Sequence, residues 1–485
     1  MPDTIPSLAL PRRSSKGRSL ALLWAGLLGL SSCSDSTGPP EPPDSAAPGL
    51  EVVFPAGGAF DRDGDGLLEV ELAFTDAASG VDPATIRVIV GGRDVLPQWE
   101  VTRRDTTALV AEETLDGLLP AGQVTLGISV SDRAGNERHE TRFLELPVIT
   151  LHRTIPLPID PVRRVQDVAM RPDGEVLFAV DETSALLLVD PNEYRLVAQP
   201  SGPLSDLQGI EFDAQRNRMY AVSFLHPGLA EFDGSTGQFL RLIPTMQGAF
   251  ALELSRQTAE VYIPLEIEFE PMNGVLSVVD RQVGEEVTLI QSGITDGDQD
   301  GSILGQHASV LTGDEQRLYV PTVGNGLLVY DPHARDFLEQ IDLLVGDERL
   351  GTALGAELVG EDLYLNVFRD VHVGSAVYKV DASTGVIKQI KGLGIGTDIN
   401  TGTAASPDGR WLFVTGAGGR SHAGQPNYLL RLPGMSLTPV EGLPGASELF
   451  AYKSAAWHPD GKRVYVSGGD IVGGNNTIVV YLVRP

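Results

Sequence analysis

The sequence predicts an all-β chain, with a β-sandwich over residues 50–148 followed by a seven-bladed β-propeller over residues 149–485. Three observations lead there. Short apolar runs alternate with polar residues, and no stretch past the N-terminal region has helical period. Glycine and proline, 55 and 33 of the 485 residues, supply an excess of turns. A unit of four short strands recurs seven times in the C-terminal two-thirds, and recurrence at that spacing is the mark of a radially repeated fold. Hydrophobic residues make up 42% of the chain and charged residues 21%, enough apolar material for large cores. The formal charge of −29 repels polyphosphate and anionic lipid, which argues against a nucleic-acid binder or a polybasic membrane-surface protein. One cysteine excludes an intrachain disulfide framework, an all-cysteine zinc site and a CxxC redox pair.

Residues 1–32 read as a processing signal. Arg12, Arg13, Lys16 and Arg18 form a basic start, and Leu20 to Leu30 form an apolar run too short for a stable membrane span. The stretch Leu30-Ser31-Ser32-Cys33 then resembles the bacterial lipobox. That resemblance implies a diacylglycerol on the Cys33 thiol and cleavage just before it. An ordinary secretory peptide is the alternative. A multiply acylated terminus holds a soluble domain at a membrane, each buried CH2 contributing about 0.8 kcal/mol. Residues 33–49, rich in Pro, Ser and Gly, read as a flexible linker.

Residues 50–148 alternate apolar and polar positions between Gly, Asp and Pro punctuation, which gives the sandwich. The segments Ser79-Gly80-Val81-Asp82-Pro83 and Ser131-Asp132-Arg133-Ala134-Gly135-Asn136 resemble those of bacterial immunoglobulin-like surface domains. Near the start, Asp61, Asp63 and Asp65 alternate and Gly64 and Gly66 allow a sharp turn, as at the opening of a calcium loop. An EF-hand would need a bidentate Glu where Leu72 stands, so that motif is rejected. Two readings stay open: a looser calcium site completed by Asp76 or Asp82, or a solvated acidic turn.

From residue 149 the aromatic of each second strand recurs at Phe178, Tyr220, Tyr262, Tyr319, Tyr364, Phe413 and Tyr465. Third strands of the first five units end in Asp190, Asp233, Asp280, Asp331 and Asp381, and three units carry a Pro-Asp-Gly turn at residues 172–174, 407–409 and 459–461. These motifs resemble YVTN-type repeats of surface-layer and YncE-like propellers, which in turn resemble some lactonase propellers. The last unit stops after its third strand, and the run Ile149–Ile155 can supply the missing outer strand.

Counting twelve residues back from each aromatic marks where the inner strands begin. The positions are Gln166, Gln208, Phe250, His307, Thr352, Thr401 and Lys453. Four of these, Gln166, Gln208, His307 and Lys453, are the candidate binding residues of a polar ring at a channel mouth. The competing reading is solvated strand ends. An insertion before His307 holds Asp296, Asp298 and Asp300, a second alternating-Asp turn read either as a calcium site or as a solvated acidic loop. His139, His152, His333 and His458 fall at strand ends and turns and read as exposed. His226, His307, His372 and His422 share the mouth face.

No G-x-S-x-G elbow, H-E-x-x-H helix or nucleotide-binding glycine pattern is present, so no catalytic residue is assigned. The reading is therefore an envelope lipoprotein, lipid-anchored to a bacterial membrane on its periplasmic or outer surface, that binds an envelope protein or glycan through one propeller face. Calcium is the one cofactor that the sequence suggests, and nucleic acid is no partner. The alternative is a metal-assisted hydrolase of the lactonase-like class, with His307 or a nearby carboxylate activating water.

Overall fold

Alternating buried and exposed residues build the N-terminal module. Along Glu69–Thr75, the side chains of Val70, Leu72 and Phe74 are buried while their neighbours are not, and Gly122–Asp132 buries Val124, Leu126, Ile128 and Val130 in the same rhythm. Two four-stranded antiparallel sheets result. One has the order Gly49–Phe54, Glu69–Thr75, Ala108–Glu112, Glu100–Arg104, and the other has the order Arg93–Asp94, Val81–Val90, Gly122–Asp132, Glu137–Leu146. A single apolar core contains residues from both sheets, with Trp99 at its side.

The structure is a computed structural model. It describes residues 43–157, 165–181, 185–265, 275–291, 308–322, 326–341, 344–345, 348–349, 352–370, 374–394, 402–416, 427–440, 450–470 and 476–485. Cys33, Asp296, Asp298, Asp300, His307, His372 and His422 lie outside the described residues.

The repeat module comprises seven four-stranded antiparallel sheets among the described residues. The first runs Val165–Met170, Leu177–Asp181, Leu186–Asp190, Arg195–Ala198, in chain order from one edge to the other. The next five keep this order. The seventh joins Phe450–Trp457, Arg463–Asp470 and Thr477–Val483 to Ile149–Pro156, paired from Thr477↔Pro156 to Val483↔Ile149. The first strand of each sheet touches the first strand of the next, and the seventh touches the first. The strand Ile149–Pro156 thereby covers the edge of Thr477–Val483 that would otherwise stand open at the seam.

The recurrent residues explain themselves locally. All seven second-strand aromatics are 1% exposed or less, filling space between neighbouring sheets. Each third-strand aspartate accepts hydrogen bonds from the backbone N–H groups two and three residues onward. For Asp233 these are Ser235 and Thr236 at 3.1 and 3.0 Å, and for Asp381 they are Ser383 and Thr384 at 3.0 and 2.9 Å. The aspartate thus closes the turn that sends the chain into the outer strand. The sixth sheet ends its third strand in Arg431 and turns through Leu432-Pro433 instead.

Residues Ser45–Pro485 form one compact unit, and the junction between its modules is polar. Arg484, fully buried, donates to both carboxylate oxygens of Glu113 at 2.8 and 3.0 Å and to the carbonyls of Gly66 and Leu119. Lys462 reaches the Leu115 carbonyl at 2.6 Å. Two histidines read from sequence as exposed are buried, His152 at this junction and His458 between the closing sheet and the first. His152, 5% exposed, bonds the Asp65 carbonyl at 2.6 Å and the Tyr194 hydroxyl at 2.9 Å. Burial holds its imidazole at a pKa of about 4, so it is neutral at physiological pH. His458, 9% exposed, contacts Arg463, Asp460 and the Gly174 carbonyl.

Candidate functional site

First strands that touch in a cycle enclose a channel, and β-bulges shape its mouth. The ladder skips one residue between Val165 and Asp167, between Leu207 and Gly209 and between Ala353 and Gly355, and sets two residues against one between Tyr452 and Ala455. A bulge leaves its extra residue unpaired and re-aims it. Gln166 and Gln208 are two of those residues, and both line a cavity of about 210 Å³. Asp167, Phe250, Gly402 and Ser454 share its wall. Gln208 donates to the Asp206 carboxylate at 2.8 Å. Lys453 lies on the bulged stretch of Phe450–Trp457. In the fifth sheet the turn between the first two strands is shorter, so Glu357, seven residues before Tyr364, faces that tyrosine in the ladder. Gly355, two residues before that glutamate, enters the cavity wall.

Asp167 ties the ring across the seam. Its carboxylate accepts from the Ser454 hydroxyl at 2.5 Å, from Ile210 N–H at 2.9 Å and from Val168 N–H at 2.8 Å. Burial outweighs these bonds and pushes its pKa up to about 6.

Deeper in the channel lie three carboxylates that the sequence reading did not single out. Glu211, Glu253 and Glu357 each pair in the ladder with the tyrosine of the next strand, Tyr220, Tyr262 and Tyr364. The other four sheets place Ala169, Val310, Ala404 and Ala456 at the same step. Glu211 accepts the Leu254 N–H of the following sheet at 3.1 Å, and the N–H groups of Leu311 and Ala405 face Glu253 and Glu357 and favour their charged forms. Burial is the main cause that raises all three pKa values, to about 8 for Glu211 and Glu357. They line a second cavity of about 490 Å³, which opens between the turns that follow the first strands. A signal was present in the sequence. Glutamate stands nine residues before the aromatic in two consecutive units, at Glu211 and Glu253.

In the N-terminal module, carboxylate oxygens of Asp61, Asp63 and Asp65 lie within 4.8 Å of one another. Asp76 and Asp82 do not join them among the described residues. Asp61 accepts from the N–H groups of Gly64, Asp65 and Gly66, and Asp65 accepts from Leu67 N–H at 2.9 Å and pairs with Arg153 at 3.0 Å. Gly66, at φ +80°, packs so closely on Thr150 that a Cβ would lie 2.3 Å from its hydroxyl. The loop packs against the strand Ile149–Pro156 through Asp65 and Gly66, while Asp63 is exposed. Glu112 nearby has its pKa raised to about 7, by burial first and then by the field of Asp65 and Asp63.

Comparison with known proteins bears on the channel. No family model and no curated relative matches the sequence. Among solved structures, the WD40 β-propeller domain of Doa1 is 11% identical over 69% of this chain and 96% of its own, with a TM-score of 0.50. The repeat module has the β-propeller fold. Kuenenia stuttgartiensis hydrazine synthase is 14% identical over 68% of this chain and 97% of its own, with a TM-score of 0.49. In propeller terms the first strands are the inner strands of the blades, and the two cavities are the two ends of the central channel. Ser309 and Ala356 line both.

Proposed function

We propose that this chain is a lipid-anchored envelope protein whose seven-bladed propeller binds a partner at the channel mouth, with an immunoglobulin-like module and a linker as its stalk. The observation that carries the reading is the mouth itself. Two bulged glutamine side chains, a half-buried aspartate and a serine surround a small cavity, together with Phe250. Amide groups offer both donors and acceptors, and a cavity of about 210 Å³ accommodates one protein side chain or one sugar ring more readily than a whole small-molecule ligand. Exposed loop tips at the rim would supply the remaining contact area. The fold alone assigns no activity.

Crosslinking in intact envelopes tests the mouth. The wild-type chain is expected to capture a defined partner, and a Gln166→Leu, Gln208→Leu double variant should bind it at least about tenfold more weakly, because buried amide partners would be left unpaired. Equal capture by both chains would refute the mouth as the contact surface. A glycan partner would be revealed by loss of capture after glycosidase treatment.

The tether has its own test. Cys33→Ser is expected to move the protein from the membrane fraction to the soluble fraction, since one unacylated terminus has no means of retention. Membrane retention of that variant would remove the anchor from the proposal while leaving the mouth untouched.

A further inference from the structure

We propose that the cleft between the sixth sheet and the N-terminal module is a binding site for a small molecule that carries a carboxylate on an apolar ring, with Arg431 and Arg410 as the groups that recognise the anion. The proposal does not rest on the mouth reading, because it concerns other residues and another cavity.

The first observation is a reversal of charge within the repeat. The first five units end the third strand in the aspartate that closes the following turn, whereas the sixth ends it in Arg431 and turns through Leu432-Pro433. A cation at that step takes no part in closing the turn. In the ladder Arg431 stands opposite Trp411, and its guanidinium lies over the indole, 5.9 Å from the ring centroid. The side chain is exposed, and among the described residues its guanidinium has no ion pair and no hydrogen bond. Its planar fork of donors is therefore open to a guest.

The second observation is the cavity that this fork borders. It measures about 340 Å³ and is lined by Arg410, Trp411 and Arg431 together with Ala121 and Val148 at the edge of the sandwich. Arg410 gives its Nε–H to the Asp408 carboxylate and keeps the other donors of its guanidinium. Arg484 also borders the cavity, but its guanidinium is fully buried and committed to Glu113, so it offers nothing to a guest. Among the described residues no aspartate or glutamate lines the cavity, in a chain with 65 acidic against 36 basic residues. The Pro485 carboxylate at its edge pairs with neither exposed arginine.

The lining selects the class of ligand. A guanidinium fork matches the two coplanar oxygens of a carboxylate. Trp411, 8% exposed, and the side chains of Ala121 and Val148 give an apolar wall, and no hydroxyl or amide side chain lines the cavity among the described residues. The hydroxyls of a sugar acid would lose water there without gaining a side-chain partner, and a bare anion would leave the wall uncovered. An apolar ring covers it, and the volume lies in the range of small-molecule sites.

The test is calorimetric titration of the purified full chain with cyclohexanecarboxylate and with benzoate, beside acetate, inorganic phosphate and glucuronate. Both ring acids are expected to bind at least about tenfold more tightly than each of the other three. Arg431→Gln should weaken the ring acids at least about tenfold, Arg431→Lys should weaken them less because it keeps the charge and loses the fork, and Arg410→Gln should weaken them about threefold. These side chains are exposed, so the melting temperature should not change. Trp411→Phe should abolish the change in tryptophan fluorescence that cyclohexanecarboxylate causes in the wild type. The Gln166→Leu, Gln208→Leu variant should bind both ring acids as the wild type does, which separates this cleft from the mouth. Absence of binding by the ring acids, equal affinity in Arg431→Gln, or acetate, phosphate or glucuronate binding as tightly as the ring acids would overturn the proposal.

Discussion

Arg484→Leu is expected to destabilise the chain by about 3–5 kcal/mol, the range for breaking a buried ion pair from one side. The guanidinium and the Glu113 carboxylate are both 0% exposed, and the same guanidinium also satisfies the carbonyls of Gly66 and Leu119. Removing it leaves a charged carboxylate in a dry interface and two carbonyls without a donor. Glu113 also accepts from the N–H groups of Leu68 and Leu119, so leucine would be a poor replacement there. Glutamine keeps an acceptor and removes the charge. Adding Glu113→Gln to Arg484→Leu should therefore recover about 1–2 kcal/mol. Chemical denaturation of the two variants beside the wild type reads this directly. A loss below about 1 kcal/mol in the single variant would show that the pair does not hold the modules together.

Ile155→Asp should be at least as damaging and should act at the propeller seam. Ile155 is 1% exposed, pairs with Ile478 in the closing blade, and packs with Val165, Leu177, Tyr465 and Val480 between the last blade and the first. An aspartate there meets no partner and faces desolvation, a cost of about 4 kcal/mol or more. The closing strand would detach, exposing the edge of Thr477–Val483. Rapid protease cleavage near residue 155, with higher blades still protected, is the expected pattern. Ile155→Ala should cost about 2–4 kcal/mol by cavity formation alone. An aspartate variant as stable as wild type would mean that closure does not depend on this strand.

The two modules differ in how far their sequences foretold them. The aromatics of the second strands and the aspartates of the third were readable because one residue does one local job repeatedly. Tyr220 and its counterparts fill the space between sheets, and Asp233 and its counterparts close a turn. Counting back from the aromatics placed Gln166 and Gln208 on the cavity wall for the same reason. In the fifth sheet a shorter turn shifts that count, and Gly355 takes the place on the wall. Glu211, Glu253 and Glu357 passed unnoticed because a glutamate alternating with apolar residues looks like a solvated face. Nothing local tells that their outer face lines a channel. The junction was still less legible. Glu113 and Arg484 are 371 positions apart, and His152 reads as exposed until the module before it folds over it.

The composite sheet that closes the cycle sets an order of events. Thr477 must meet Ile155, made 322 residues earlier, before the circle is complete. Until then Ile149–Pro156 has no lateral neighbour, and the entropy of joining such distant segments is unrecovered. Synthesis thus proceeds with an open seam, and chaperones or proteases that sense unpaired strands have that whole interval in which to act.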